Sequence, residues 1–249
     1  MLQSIKKIKN KVEKKYHLHM CKKNQDEKTV WLSLGENCLP DDILNRFHLK
    51  SYSSPFASCR SNIDYIISMH ENNYNGLLDI KNSINGVILG KNVLRSSIYN
   101  KCHPVYHDLH INGFEFTHHN WAVNKNIKSS LQRRIDRFKK DIGTKNIILL
   151  YHHRKTNKSD IEYIIKRLSE FSNKLTTNGM ECTIALFYQE LVQCRKDRKL
   201  IKRYPSDNVY EYEFRTQNTW EGDDEKIFWG KIDDDLIKNM IFDIKSKKI

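Results

Sequence analysis

The sequence predicts an α/β fold: a mostly parallel sheet flanked by helices in three layers, hydrolase-like, with a basic helical extension at the N-terminus. Three observations predict it. Short apolar runs alternate with amphipathic helical segments, above all in the second half of the chain, which is the pattern of parallel strands joined by helices. The first apolar run, residues 29–34, passes within four residues into a helix. Residues 1–27 stand apart, rich in lysine and without a strand pattern. No linker and no internal repeat divides the remainder. The expected organisation is therefore a basic amphipathic extension over 1–27 and a single α/β domain over 28–249.

The elements follow in order. Leu2, Ile5, Ile8 and Val12 recur at roughly helical spacing with lysines on the other faces. Such a helix either packs on its own domain or lies on an anionic membrane surface. Residues 29–34 read as a short buried strand. Residues 39–49 read as a helix, with Pro40 in its first turn and Asp41 and Asp42 near its positive end. A polar loop over 51–58 precedes a second helix over 62–70. Residues 86–120 read as strand-rich, with candidates at 87–89, 105–111 and 114–116 and a hairpin signal at Asn112-Gly113. A basic helix over 125–141 ends before Gly143. Residues 146–151 form the clearest strand, and Ser159 opens a helix to about Leu175. Strands over 181–188 and 209–214 and a closing helix over 233–247 complete the chain.

Composition narrows the function classes. The 249 residues include 12 Tyr, 10 Phe and 4 Trp, enough bulk for a core, and only 9 Gly and 4 Pro, which excludes collagen-like and low-complexity classes. The longest apolar run, 147–151, falls far short of the roughly 20 residues a membrane span needs. No secretory apolar region is visible, and the six cysteines show no CxxC spacing. Reduced thiols and a cytoplasmic location are expected, with peripheral membrane contact through residues 1–23. The net charge of +13 is gathered in three patches: +7 over 1–23, +4 over 129–140 and +5 over 195–203, the rest of the chain being −3. Patches of this kind attract an anionic glycan, a phosphate-bearing substrate or an anionic membrane; alternatively they reflect a composition rich in Lys, Asn and Ile. Nucleic acid is not an expected partner, because no RRM, KH or helix-turn-helix pattern occurs.

The chemistry is sought first at Ser33-Leu34-Gly35-Glu36-Asn37-Cys38, where a strand ends and a helix opens. Ligands of open α/β sheets bind there. A cysteine at a helix N-terminus is biased toward thiolate, and the free N–H groups around it suit an oxyanion. Gly35 allows a tight turn, and Asn37 adds a donor. The alternative is that Cys38 is a small buried hydrophobe. A base is sought at Phe116-Thr117-His118-His119. Strand alternation would turn the two histidines to opposite faces, and His119, at the strand end, is preferred over His118. His152 and His153 close the strand before them and are candidates for the same crevice. No metal or cofactor is expected: GxxxxGK[ST], GxGxxG and HExxH are absent and the adjacent histidine pairs lack a metal-site spacing, the looser His103, His107, His110 cluster with Cys102 and Asp108 being the lesser alternative for a chelated metal. Arg133, Arg134 and Arg137 gather on one helix, either to bind phosphate or carboxylate or as a solvated face. Residues 195–203 form a similar patch in a loop or helix.

These blocks carry a resemblance. Trp31 to Cys38, then Leu44-x-Arg46-x-x-Leu49, then Ser53-Ser54-Pro55-Phe56-Ala57-Ser58 resemble the opening of a family of papain-like cysteine peptidases of unassigned function, with its SLGxNC block, arginine-bearing helix and S-x-PFDW block. Phe116 to His119 and Arg133-Arg134-Ile135-x-Arg137-Phe138 are similar to its later blocks, so the likeness covers about residues 29–155. It implies a hydrolase or acyltransferase with Cys38 as nucleophile, acting in surface-polysaccharide or capsule biosynthesis. It also implies oxyanion or substrate contacts by Ser33, Gly35, Asn37, Arg46, Pro55 and Phe56. The chain departs from the pattern at Ala57, where the family has aspartate, so an orienting acid is sought instead at Asp223 or Asp224. The rival reading is a non-catalytic module that grips an anionic polymer, glycan or nucleic acid, through the basic patches.

Overall fold

Val30, Trp31, Leu32 and Leu34 drive the first strand, and alternation sends them to two different cores. The computed structural model describes residues 26–247 apart from 58, 89–90 and 119, so the basic extension lies almost wholly outside the described residues. Strand β1 (Thr29–Gly35) pairs in parallel with β5 (Asn146–His152), from Thr29 opposite Asn146 to Gly35 opposite His152. β6 (Cys182–Leu191) and β8 (Val209–Thr216) continue the parallel sheet, and β7 (Lys199–Ser206) closes it as an antiparallel edge, in the order β1-β5-β6-β8-β7.

Helices cover both faces. Leu32, Leu149, Ile184 and Leu186 share one core with Leu131, Ile135 and Phe138 of α3 (Lys125–Asp141) and with Ile164, Leu168 and Phe171 of α4 (Ile161–Leu175). On the other face Trp31, Ile148, Leu150 and Phe187 pack on Ile43 and Leu44 of α1 (Leu39–Arg46) and on Ile237, Met240 and Ile244 of α6 (Asp234–Ser246). The predicted three-layer arrangement, a mostly parallel sheet between helices, is what forms. α3 has the expected bounds: Asn124 caps it by accepting from the N–H groups of Asn126 and Ile127.

Between β1 and α3 the chain adds α2 (Ile63–Glu71) and a small antiparallel sheet of β2 (Ser83–Ile88), β3 (Lys91–Ser96) and β4 (Glu115–Phe116). Several expectations change here. Residues 105–111 are not a strand: the His107 side chain accepts from Leu109 N–H and winds Asp108–His110 into a 3-10 turn. Asn112-Gly113 turns the chain, but β4 pairs with β3 rather than with a strand before the turn. Asp160, not Ser159, caps α4, accepting from Tyr163 N–H. Residues 199–206 are a strand rather than a loop or helix. Three of the six cations over 195–203 are paired with carboxylates of the fold: Arg198 with Asp233 and Asp235, Lys202 with Asp243, and Arg203 with Glu211 and Glu213. Short α5 (Glu225–Phe228) precedes α6.

Candidate active site

The turn after β1 is built on two residues that the rest of the chain fixes tightly. Gly35 has φ +139°, and a Cβ there would stand 3.1 Å from the backbone nitrogen of His152. Only glycine lets β1 end flush against β5 in that conformation. The Glu36 side chain then turns inward and is fully buried. Its Oε1 accepts from Tyr151 Oη (2.9 Å) and His153 Nδ1 (2.7 Å), and its Oε2 from the Arg154 N–H (2.9 Å). Burial alone would raise the pKa of this carboxyl. The His153 ring, with His110 and the Arg154 N–H, outweighs that and holds it at about 2. His153 Nε2 in turn meets Ser159 Oγ at 2.7 Å, which locks the β5–α4 turn to the β1–α1 turn.

Asn37 is equally engaged. Its Oδ1 accepts from Leu39 N–H (3.1 Å) and its Nδ2 donates to His152 Nδ1 (2.9 Å). His152 is kept neutral by burial, its pKa down at about 3, and stacks on Phe187 at 5.0 Å. Both members of the His152-His153 pair therefore stand behind the turn as supports.

Cys38 is the N-cap residue of α1. Its Sγ lies 3.6 Å from His118 Nε2 and takes a hydrogen bond from Thr117. The helix N-terminus was expected to favour the thiolate, but the balance here is the reverse. Burial first, then the Asp41 carboxylate in the first turn, push the thiol up to about 11, against the opposing pull of Arg60 and Thr117. The resting group is a neutral thiol beside an imidazole rather than an ion pair. If the Asp41 charge contributes as described, Asp41→Asn raises Cys38 alkylation by iodoacetamide at pH 7.5 about three- to tenfold. Peptide mapping with exposed Cys194 as internal reference measures this. An unchanged rate would remove Asp41 from the account.

The cysteine and histidine open on a cavity of about 300 Å³. Cys38, Cys59, Thr117 and His118 line part of it, Arg60, His110 and Arg154 another part, and Trp220, Phe228 and Trp229 an aromatic wall. Of the residues singled out in the sequence, Cys38, Asn37 and His118 come together here. His119 lies outside the described residues. Gly35 shapes the turn from behind.

The other candidates stand elsewhere. Ser33 is buried, donating to Asp41 Oδ1 (3.1 Å) while its carbonyl accepts from Ser54 Oγ (2.7 Å). Arg46 pairs with Asp42 and Asp234 and ties α1 to α6. Pro55 is buried, and Phe56 is core, edge-on to Phe138 at 5.7 Å. Asp223 is exposed, and Asp224 caps α5 by accepting from Lys226 N–H; neither lines the cavity. Arg133, Arg134 and Arg137 lie on α3 away from it, Arg137 over the Tyr52 ring at 4.9 Å. The sequence reading gave no role to Glu36, Arg60 or Arg154, and weighed His110 only in a loose metal-binding cluster. Two had a local signal: Glu36 stands between Gly35 and Asn37, and Arg154 directly follows the histidine pair at a strand end.

A family model described as "Putative papain-like cysteine peptidase (DUF1796)" matches residues 29–190, more than half of the chain. The chain belongs to this family. The shared span supports a cysteine hydrolase and contains Cys38, His118 and the three basic cavity residues; the aromatic wall lies beyond it. Comparison with curated proteins and with solved structures returned no match. Among the described residues no helix is long and apolar enough to cross a membrane, and no cluster of three or more His, Cys, Asp or Glu is placed to hold a metal ion.

Proposed function

We propose that this family member is a thiol-dependent acyl hydrolase or acyltransferase, with Cys38 as nucleophile and His118 as general base. The observation that carries the reading is the 3.6 Å approach of Cys38 Sγ to His118 Nε2, at the mouth of a cavity beyond the carboxyl ends of parallel strands. Sγ bonds to the acyl carbon as its proton passes to His118 Nε2, and the carbonyl electron pair moves onto oxygen. The tetrahedral intermediate collapses, and the leaving group departs with the proton from His118. Water, or an acceptor hydroxyl, then attacks the thioester, gives its proton to His118 and releases Cys38, which recovers that proton. The Cys38 N–H, which has no intramolecular acceptor among the described residues, and the second Asn37 amide hydrogen are the nearest donors for the oxyanion.

The acyl acceptor or donor belongs in this proposal to surface-polysaccharide biosynthesis or modification. The aromatic wall of Trp220, Phe228 and Trp229 supports this, since flat rings suit the apolar faces of sugars. The protein works in the cytoplasm in this reading, with residues 1–23 touching an anionic membrane surface. The rival basic-patch reading draws less support, because the carboxylates paired with Arg198, Lys202 and Arg203 neutralise much of one patch.

The test is a panel of acyl esters and thioesters on the purified protein, read by turnover and by intact mass. An acyl adduct on Cys38 is expected, and Cys38→Ser is expected to lower turnover at least 10³-fold. Full turnover by Cys38→Ala would end the proposal.

A further inference from the structure

We infer that the cavity beside Cys38 holds a receptor for an oxyanion, formed by Arg154, Arg60 and His110, and that the substrate carries a carboxylate or phosphate group close to its scissile acyl carbon. Naming this group as part of the substrate rests on the thiol-nucleophile reading; the receptor itself does not.

Three independent observations lead to it. The first is a cation without an anion. Arg154 gives its backbone N–H to Glu36, but its guanidinium, half-buried against the cavity, has no carboxylate partner among the described residues. Glu36 is engaged instead by Tyr151, His153 and the Arg154 backbone N–H, and makes no ion pair with this guanidinium.

The second is a carboxylate shared by two arginines. Arg95 grips Glu115 Oε2 with Nε and Nη2, at 3.1 and 2.8 Å. Arg60 is left with Nη1 at 3.9 Å from Oε1, beyond hydrogen-bond reach. Glu115 is buried and neutralises one charge of the two, so positive charge is left over at Arg60, on the cavity side.

The third is an orphaned polar ring. His110 is 2% exposed, and neither Nδ1 nor Nε2 has a hydrogen-bond partner among the described residues. Buried polar atoms are almost always satisfied, so such a ring at a cavity wall points to a missing partner. Burial, with Arg154, His107 and Arg60 adding to it against Glu36, keeps the ring neutral, its pKa near 4. A neutral imidazole retains one N–H, which completes a donor set of two guanidiniums and one ring for a group with several acceptor oxygens. Arginine forks match carboxylate and phosphate alike, so the shared chemistry is an oxyanion and the source is for experiment.

The full-length protein can be tested without knowing its substrate. Cys38 is alkylated in parallel with iodoacetate and iodoacetamide, which differ chiefly in charge, and the rate ratio is compared with that at exposed Cys194 in the same molecule. A receptor predicts an iodoacetate preference at Cys38 at least tenfold above that at Cys194. Arg154→Gln is expected to reduce the preference at least fivefold, Arg154→Lys to restore part of it, and His110→Phe to weaken it. Protection of Cys38 by inorganic phosphate but not acetate assigns a phosphate group; the reverse assigns a carboxylate. A Cys38 ratio equal to that of Cys194 and indifferent to Arg154 overturns the receptor. Should neither reagent reach Cys38, calorimetric titration with phosphate and acetate decides: binding lost in Arg154→Gln supports the receptor, and no binding of either overturns it. The failure of the nucleophile reading is separate, since that would show as turnover undiminished in Cys38→Ser while Cys38 of the wild type keeps its charge preference.

Discussion

Replacing His118 with alanine is expected to lower kcat/KM at pH 7 by about 10²–10⁴, the range for removal of a positioned general base, and to change the shape of the pH profile. The second effect follows from the thiol. With Cys38 held at about 11, only roughly one molecule in 10⁴ carries a thiolate at neutral pH. Wild type avoids that penalty by passing the proton to Nε2 during attack. The His118→Ala enzyme must use the rare thiolate, so its rate should climb about tenfold per pH unit through the alkaline range, and its deficit should shrink as pH rises. A profile from pH 6 to 10 in both proteins tests this, with His119→Ala as companion. If His118→Ala stays within threefold of wild type at pH 7 while His119→Ala collapses, the base is His119. A cysteine whose pKa was already depressed would behave otherwise: its rate would be flat through this range in both proteins.

That test also marks where reasoning from sequence stopped. Preference for His119 extended strand alternation along 114–119, but β4 holds only Glu115 and Phe116. Past Phe116 the two-residue period no longer governs where side chains point: His118 reaches the cysteine, while His119 lies outside the described residues. The parallel sheet was legible because β5 and the first part of β6 are continuous apolar runs and β8 alternates aromatic with charged residues, and α3 because its cap and its i, i+4, i+7 spacing agree. β7 was not, because an exposed edge strand carries lysine and arginine against self-association and so reads as a charge patch. The cationic cavity residues were hidden for another reason. Arg60 and His110 come from loops distant in sequence, and long-range contacts such as the Arg60–Glu115 bridge and the Asn62 side chain bonded to the His110 carbonyl bring them beside Arg154. Cys38 and Asn37 were readable because strand, turn and helix follow one another locally. A thiolate at Cys38 was expected from the helix terminus alone, which leaves out the burial of the thiol and then the Asp41 that shares the first turn.

Glu36→Gln should cost roughly 2–4 kcal/mol of folding stability at pH 7, because it removes one partner of a buried, charge-assisted network. The pH dependence separates this from a packing defect. The folded pKa of Glu36, about 2, lies below its ordinary value of 4.5. Its contribution is therefore complete above 4.5 and is lost as pH falls from there toward 2. His110 and His152 act over a higher window. Both are buried neutral, at about 4 and 3, so below 6.5 the unfolded chain binds protons that the native state refuses, and stability declines from that point. Wild type should lose stability in two stages, the first beginning near pH 6.5 and the second below 4.5. Glu36→Gln should keep the first and shrink the second, to which Glu213, Asp235 and Asp243, also lowered in the fold, still contribute. Urea unfolding between pH 3 and 8 measures both, and a variant within 0.5 kcal/mol of wild type at pH 7 would show that His153 and Tyr151 hold the turn without the charge. The consequence reaches the chemistry. Glu36 fixes the residue before Asn37 and Cys38 through one carboxylate oxygen and Arg154 through the other. The same buried charge that stabilises the fold therefore anchors the two backbone segments that carry the nucleophile and Arg154 to the cavity.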